Sequence, residues 1–495
     1  MATTDPLNLD EAGEWAGLWW LPDDPDQPVP GILRYDAEGG LSLSLIGAFE
    51  DRITSNPAPG VTAYHEGSRT WDVIHGVAEQ REVTLLGCVP TSGKRTMFAR
   101  VKSPDKQTVT AATAIVGAHV NGEEDAAFST AEVSVEDLGL WAASSVFEEF
   151  LGAPGGRIDG TGRISVKPVE AQAVVVDGTE YRLEHTHTLP FFDQRKAGTI
   201  GRMRHTASVR VIPAEPFALS AALKAASMLQ DLIALAMHRA AGVIWLRLEV
   251  AGTESVLPNG QPVPRRRADV LYAPAALGKH DAKAVDHYRV FFTCDSLPFE
   301  EVVPRWCEAH GRLQAATNMI LGLRYAPARF IENNLLTAVG AAEVLHRGLR
   351  IDEKPFSKAE FTAMRDAMLG QVPGEHQERF KGAIRNDPTL RDRLHALAAR
   401  PDQEAIALLV PDVAQWAKRA TRARNDLAHE GKTPNHSFEE LIAIVEVTTA
   451  VVILNVLHEL GLPPERQREI VQEHPQLRAT ARTAGDWLVA SKSDP

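Results

Sequence analysis

An α+β multidomain chain, with a β-rich antiparallel N-terminal region followed by an all-α helical bundle, is what this sequence predicts. Three observations carry that expectation. At 495 residues the chain exceeds what one hydrophobic core usually organises. From about Leu18 to Val211 apolar residues alternate in short runs broken by Gly, Pro and Asp, which is the period of half-buried strands. After about Pro298 the spacing changes to helices punctuated by prolines. The expected boundaries are a β-rich region over 1–300 with an embedded helix near 216–241, a helical domain over 301–465 and a peripheral polar tail over 466–495.

The strand pattern is plainest in "LSLSL" at 41–45, where Leu41, Leu43 and Leu45 fall on one sheet face and Ser42 and Ser44 on the other. The preceding "DAEGG" supplies turn chemistry for a hairpin with "GILRY". "WDVIHGV", "EVTLLGCV", "TMFARV", "RISVKPV", "AQAVVV" and "YRLEHTHTL" read as further strands. "FALSAALKAASMLQDLIALAMHRAAGV" has helical spacing. It is followed by strand-like "VIWLRLEV" and, after a Pro-rich loop near 257–265, by strand-like "YRVFFTC".

In the helical part, Ile331, Leu335, Ala338, Ala342 and Leu345 step by four and three to give one apolar stripe, with Arg329, Glu332 and Glu343 off it. Ser357 with Glu360, and Ser437 with Glu440, read as capping boxes. The segment from Leu441 to Leu457 is apolar almost all round, with Gly461 placed as a C-cap. Such a helix needs cover on several faces, from its own bundle, from a second subunit, or from both.

A formal net charge of −13 argues against coating nucleic acid through bulk charge, because phosphate binding needs clustered Lys and Arg; a local basic patch stays open. Three scattered cysteines, Cys88, Cys294 and Cys307, fit a reducing compartment. The N-terminus has neither a basic segment nor an apolar run, and Glu446 and Asn455 interrupt the most apolar stretch. A cytoplasmic protein that does not enter a membrane is the resulting expectation.

One stretch reverses the overall charge. Between Lys418 and Lys432 stand Lys418, Arg419, Arg422, Arg424 and Lys432 against only Asp426 and Glu430. A helix beginning near Pro411 and Asp412 and closing at Gly431 carries them, with Trp416, Ala420, Ala423 and Leu427 as its apolar stripe. On that helix Asn425 and His429 lie about 40° apart, while Arg424 and His429 are about 140° apart. Arg, Asn and His in a basic patch suit metal-independent RNA cleavage by 2′-hydroxyl attack. A guanidinium binds the non-bridging phosphate oxygens, an imidazole moves the proton near neutral pH, and an amide holds either in place. In-line attack wants a base and an acid, and the stretch offers one His, so a homodimer would complete the pair.

Spacing alone carries no weight. With 52 Lys plus Arg and 17 His in 495 residues, an Arg five positions before a His arises by chance at most about twice. Arg182 with His187 and Arg305 with His310 share the spacing, and both read as structural. Arg424 and His429 are set apart by the adjacent Asn425, the basic surround, the helix terminus and the apolar helix downstream.

At "RNDLAH" the sequence resembles a HEPN domain, whose nuclease members carry an Arg, often followed by Asn, and a His separated from that Arg by four to six residues. "LLTAVGAAEVLHRGL", "RARNDLAHEG" and the helix running to "LHELGLPP" resemble the HEPN domain of ApeA-type antiphage proteins. The opening "GLWWLPDDPDQPVPGILRYDAEGGLSLSLIGAF" is similar to the N-terminal domain of that family. The resemblance implies a homodimeric endoribonuclease acting in abortive infection, with Arg424 and His429 as catalytic pair, Asn425 assisting, and the N-terminal region sensing a phage-derived trigger. RNA is the implied substrate, tRNA being one candidate. The rival reading is a non-catalytic HEPN dimerisation or RNA-binding scaffold whose N-terminal region binds a phage or host ligand.

Glu343 is a candidate neighbour of Arg424, though a solvated helix face explains it equally well. His185 and His187, with His205 or Cys294, and Cys307 with His310 lack strict zinc spacing and read as structural. No Walker A, G-x-G-x-x-G or G-x-S-x-G pattern is present. Neither cofactor nor metal is expected. Trp15, Trp19 and Trp20 read as core or domain-interface residues rather than as a base-stacking platform.

Overall fold

The computed structural model describes residues 5–489 apart from 50–51, 60, 67–69, 95–100, 102, 257–261, 264 and 352–353. The chain divides into two compact units, residues 1–285 with 292–304, and residues 286–291 with 305–495.

The first unit is built on antiparallel strands. Val29–Tyr35 and Leu41–Ile46 form the expected hairpin, with Leu33 opposite Leu43. Leu41, Leu43 and Leu45 are buried while the serines between them are half-exposed. Its turn is fixed by Asp36, whose Oδ1 accepts from the backbone N–H groups of Glu38 (2.9 Å) and Gly40 (2.8 Å), and by Gly39 at φ +93°. Gly13–Trp20 pairs with Val29–Tyr35 on one side and Trp71–Ala78 on the other. It buries Trp15 and Trp19, and the Trp19 indole donates to the Gly31 carbonyl at 3.2 Å. Trp20 faces the other way, edge-on to His75 and His119.

The 14-residue strand Arg81–Lys94 pairs with Trp71–Ala78 along one edge and is shared between two neighbours along the other. Its first half pairs with Thr113–Val116 and its second half with Lys106–Ala111, which also pairs with Leu41–Ile46. This closes six strands into a barrel, and the partner changes next to Gly87 at φ +62°, a conformation that favours glycine. Beyond Thr113–Val116 the sheet continues through Arg267–Tyr272, Val243–Val250, Phe128–Val135, His205–Pro213, Thr179–His187 and Gln172–Val176. Two helices, α1 (Leu138–Trp141) and α2 (Leu219–Met237), accompany it, and α2 lies on Phe128–Val135 and Val243–Val250.

"VIWLRLEV" is a strand, and its partner Arg267–Tyr272 was not anticipated. "TMFARV" falls almost wholly outside the described residues, as does most of the Pro-rich loop near 257–265. "YRVFFTC" is not a strand. His287–Arg289 is a 3-10 turn, and Val290, Phe291 and Phe292 are buried in succession rather than alternately. The carbonyls of Val290 and Phe291 accept from the Arg466 guanidinium, each at 2.9 Å, in place of a strand neighbour.

α3 (Phe299–Tyr325) belongs to the first unit through Pro304 and to the second from Arg305. The second unit continues with α4 (Ile331–Gly348), α5 (Lys358–Leu369), α6 (Gly374–Ala383), α7 (Leu390–Ala398), α8 (Gln403–Leu409), α9 (Val413–Glu430), α10 (Phe438–Glu459), α11 (Pro464–Glu473) and α12 (Pro475–Trp487). Both expected capping boxes are formed, at the starts of α5 and α10. Gly461, at φ +79°, follows α10 and donates its N–H to the His458 carbonyl.

α2 and α10 are each long and apolar enough to cross a membrane, yet 83% of the apolar window of α10 is buried inside the protein. α4, α7, α9 and α12 cover it. The cover that its all-round apolarity demands is therefore met within the unit. Two polar side chains lock the packing. Asn455 donates to the Leu397 and Val451 carbonyls, both at 2.9 Å, and the Trp416 indole of α9 donates to Thr448 Oγ1 at 3.1 Å.

Residues 466–489 do not form a peripheral tail. Ile470 and Val471 of α11 and Leu477 and Ala484 of α12 are buried, α12 against α10 and α11 against α8. Their sparse apolar residues occupy one helical face, which the polar composition of the segment masks.

Candidate active site

The C-terminal end of α9 is set by three local devices. Asp412 caps its start by accepting from the Gln415 N–H at 2.9 Å. Trp416, Ala417, Ala420 and Ala423 are buried against the bundle. Gly431, at φ +67°, ends the helix with its N–H on the Leu427 carbonyl at 3.0 Å. Leu427, expected in the buried stripe, is only half-buried, since the last turn reaches the rim of the bundle.

At that rim the structure brings Arg424, Asn425 and Glu343 together. Arg424 Nη1 donates to Asn425 Oδ1 at 3.2 Å, and Arg424 Nη2 lies 3.8 Å from Glu343 Oε2 of α4. The Arg424 side chain is 36% exposed and that of Glu343 is 20% exposed, so solvent screens the pair but the guanidinium keeps accessible edges. Asn425 thus turns to the arginine and not to the imidazole. His429 is exposed one turn further on, and among the described residues its ring makes no hydrogen bond or ion pair.

The loop after α9 adds groups that the sequence did not single out. Asn435 donates to Asp426 Oδ2 at 3.0 Å and ties the loop to the helix. Arg422 approaches the same carboxylate at 3.9 Å, and Arg419 is paired with Glu440 of α10. His436 is half-buried among these charges. Burial pushes its imidazole below the usual value, the Glu440 and Asp426 carboxylates oppose that shift, and Arg422 and Arg419 reinforce it. Its signal was its position, four residues beyond the charge-reversed stretch and directly before the Ser437 cap.

The two other Arg-x4-His pairs are spent elsewhere. Arg305 donates to the Leu460 carbonyl at 3.0 Å, at the end of α10, and the His310 ring packs 5.2 Å from Trp306. Arg182 pairs with Glu180 at 2.6 Å and Glu184 at 3.7 Å on a strand surface. His185 and His205 turn ring nitrogens toward each other at 2.8 Å. Among the described residues no three His, Cys, Asp or Glu side chains converge as metal ligands. Burial pushes the Cys88 and Cys294 thiols up to about 12, so neither is a ready thiolate.

Chemically, the end of α9 presents a held guanidinium, a free imidazole and a basic surround on an accessible edge. That set can bind a phosphodiester and exchange a proton with it. Against known families, the model of ApeA N-terminal domain 1 matches residues 14–306, and the model of the Apea-like HEPN domain matches residues 336–466. No curated protein and no solved structure matches the chain.

Proposed function

The chain belongs to the ApeA family of antiphage defence proteins with a C-terminal HEPN domain, and from that premise we propose that it is a metal-independent endoribonuclease acting through Arg424 and His429. The observation that carries the proposal is the presentation of both residues at the rim of the bundle, with the Arg424 guanidinium steadied by Asn425 and Glu343 and the His429 ring open to an incoming ligand.

In this mechanism Arg424 binds the non-bridging oxygens of the scissile phosphate, where negative charge accumulates as the 2′-hydroxyl attacks phosphorus. His429 takes or returns the proton. Asn425 and Glu343 position the guanidinium from its far side, and Glu343 keeps its charge from being fully expressed until phosphate competes for it. A single His429 serves one side of the in-line displacement. A second copy of this chain supplies the other, so the working enzyme is a homodimer with a composite cleft. RNA cleavage of this kind would be toxic to the cell, which places the β-rich unit in the role of sensing a phage-derived trigger.

The test compares wild type with Arg424→Ala and His429→Ala on total RNA in the presence of a chelator, with infected-cell extract as a source of trigger. Cleavage by the wild type alone supports the proposal; equal cleavage by folded variants, or a strict magnesium requirement, refutes it. A non-catalytic RNA-binding scaffold would bind RNA in all three proteins and cleave with none. Light scattering at micromolar concentration checks the dimer, and a monomer would remove the composite site.

A further inference from the structure

α4 leads away from Arg424 toward a second group of cations that the ribonuclease mechanism does not use. Glu343, which faces Arg424, is followed by Arg347 one turn on and by Arg350 just past the helix end, steps of four and three residues that keep to one face. Seven residues at helical rise put Arg350 about 10 Å beyond Glu343. α7 packs on both α4 and α9, and Arg393 at its start meets the end of α4. A cavity of about 400 Å³ opens there, lined by Arg347, Arg350, Lys354 and Arg393, with Asp387 and Pro388 among its other walls.

The charges in this cavity do not balance. Asp387 is the single carboxylate lining it among the described residues; it lies 3.8 Å from Lys354 with both side chains more than half exposed, so the pair is screened. Asp352 and Glu353 lie outside the described residues. Arg347 and Arg350 are exposed, and among the described residues their guanidinium groups make no hydrogen bond or ion pair. Arg393 spends Nε on the Pro388 carbonyl at 3.2 Å, while its Nη1 is buried without an acceptor. A helix C-terminus favours a cation, which accounts for Arg347 or Arg350. It does not account for Lys354 from the following loop or for Arg393 from another helix. Four cations around one screened carboxylate repel one another unless an anion comes between them.

We propose that this cavity holds a phosphate of the RNA backbone a few nucleotides from the scissile one, so that Arg424 and the cavity grip one strand at two points. The choice of RNA rests on the ribonuclease reading above. At about 3.4 Å of axial rise per stacked nucleotide, the offset along α4 spans about three nucleotides. Arg347 and Arg350 bind the non-bridging oxygens in fork geometry, Lys354 adds a point charge, and the anion answers the unmatched charge of Arg393. Contacts to phosphate carry no base identity. The site therefore fixes the register of the strand over Arg424 and His429 and leaves sequence choice to other groups.

The experiment measures binding apart from cleavage. Full-length His429→Ala, which keeps the RNA intact, is titrated into a labelled mixed-sequence oligoribonucleotide and followed by anisotropy over a range of salt, with and without Arg347→Ala and Arg350→Ala together. The expected result is an affinity about 10-fold lower and a slope of log affinity against log salt shallower by about 1–2. Arg478→Ala with Arg482→Ala, which removes two exposed charges from α12, should leave both quantities unchanged. Equal weakening by the two pairs would mean bulk charge and overturn the proposal, as would the absence of RNA binding at low salt. Calorimetry with inorganic phosphate and with ATP separates the remaining source of phosphate. Binding of either that is lost in the Arg347 and Arg350 variant, with RNA affinity unchanged, assigns the cavity to a free phosphate ester and also overturns the proposal. Cleavage by the wild type with RNA affinity unaltered in the cavity variant removes this site and leaves the ribonuclease. Loss of affinity in a protein that cleaves nothing removes the ribonuclease and leaves the site.

Discussion

Two turns of the helical unit carry the same Arg-x4-His spacing, one at the start of its part of α3 and one at the end of α9. Arg305 reaches the carbonyl that ends α10, and His310 packs on Trp306. Arg424 rests between Asn425 and Glu343 at the rim, and His429 stands exposed. The first pair is consumed by the fold; the second is displayed by it. What distinguishes them is the company each keeps. A guanidinium near a helix C-terminus finds unpaired carbonyls and a favourable dipole, so it acts as a cap. A guanidinium beside one screened carboxylate retains donors for a ligand.

That contrast makes measurable demands. The largest effect belongs to the displayed pair: Arg424→Ala and His429→Ala should each lower RNA cleavage by about 100-fold or more while the melting temperature of the helical unit stays unchanged. Coincident loss of stability and activity would erase the distinction.

Next comes a histidine that is buried outright. Burial against Phe291 holds the His474 imidazole at about 4, below its ordinary 6.5. Because the folded state resists protonation, the full stability is present above pH 6.5 and is lost as pH falls toward 4, by about 3 kcal/mol in all. Urea titrations at pH 7 and pH 4.5 should show the loss in wild type and a smaller one in His474→Gln. An identical loss in both would mean that another group is responsible.

Arg305→Ala should cost about 1–2 kcal/mol through the exposed end of α10, and leave cleavage per folded molecule intact. Denaturant midpoints and active-site-normalised rates read the two quantities separately. Ser437→Ala, which removes half of a capping box on the loop beside His436, should cost about 1 kcal/mol. Smallest of all, Glu343→Gln should change stability by well under about 1 kcal/mol, because the pair is solvent-screened. Its effect should be seen instead as a few-fold change in RNA affinity that shrinks at high salt.

Much of the fold was legible because its signals are local. The hairpin at 29–46 follows from alternation and an Asp-Gly turn, and the capping boxes at Ser357 and Ser437 follow from side chains three residues apart. Apolar runs misled where burial came without pairing. "YRVFFTC" has strand composition, but Arg466 satisfies its carbonyls. The segment 466–489 has tail composition, but its few apolar residues fall on one face. At the candidate site, helix geometry placed Asn425 and His429 on one face, whereas the amide turned to Arg424 instead, because the guanidinium offered a donor within 3.2 Å. Glu343, for which contact with Arg424 and a solvated face were equal readings, stands 3.8 Å from that same arginine.

By itself the sequence determined the two structural classes, the family resemblance that the comparisons then showed, and the helix that carries Arg424, Asn425 and His429. Period, capping and charge reversal are properties of neighbouring residues, and neighbours are always legible. Only the tertiary structure decided which of three identical spacings lies at an open rim, what covers α10, and which carboxylate faces Arg424. Those outcomes depend on strand register and helix packing, where each side chain's partner is set by residues remote in sequence, and no local pattern encodes them.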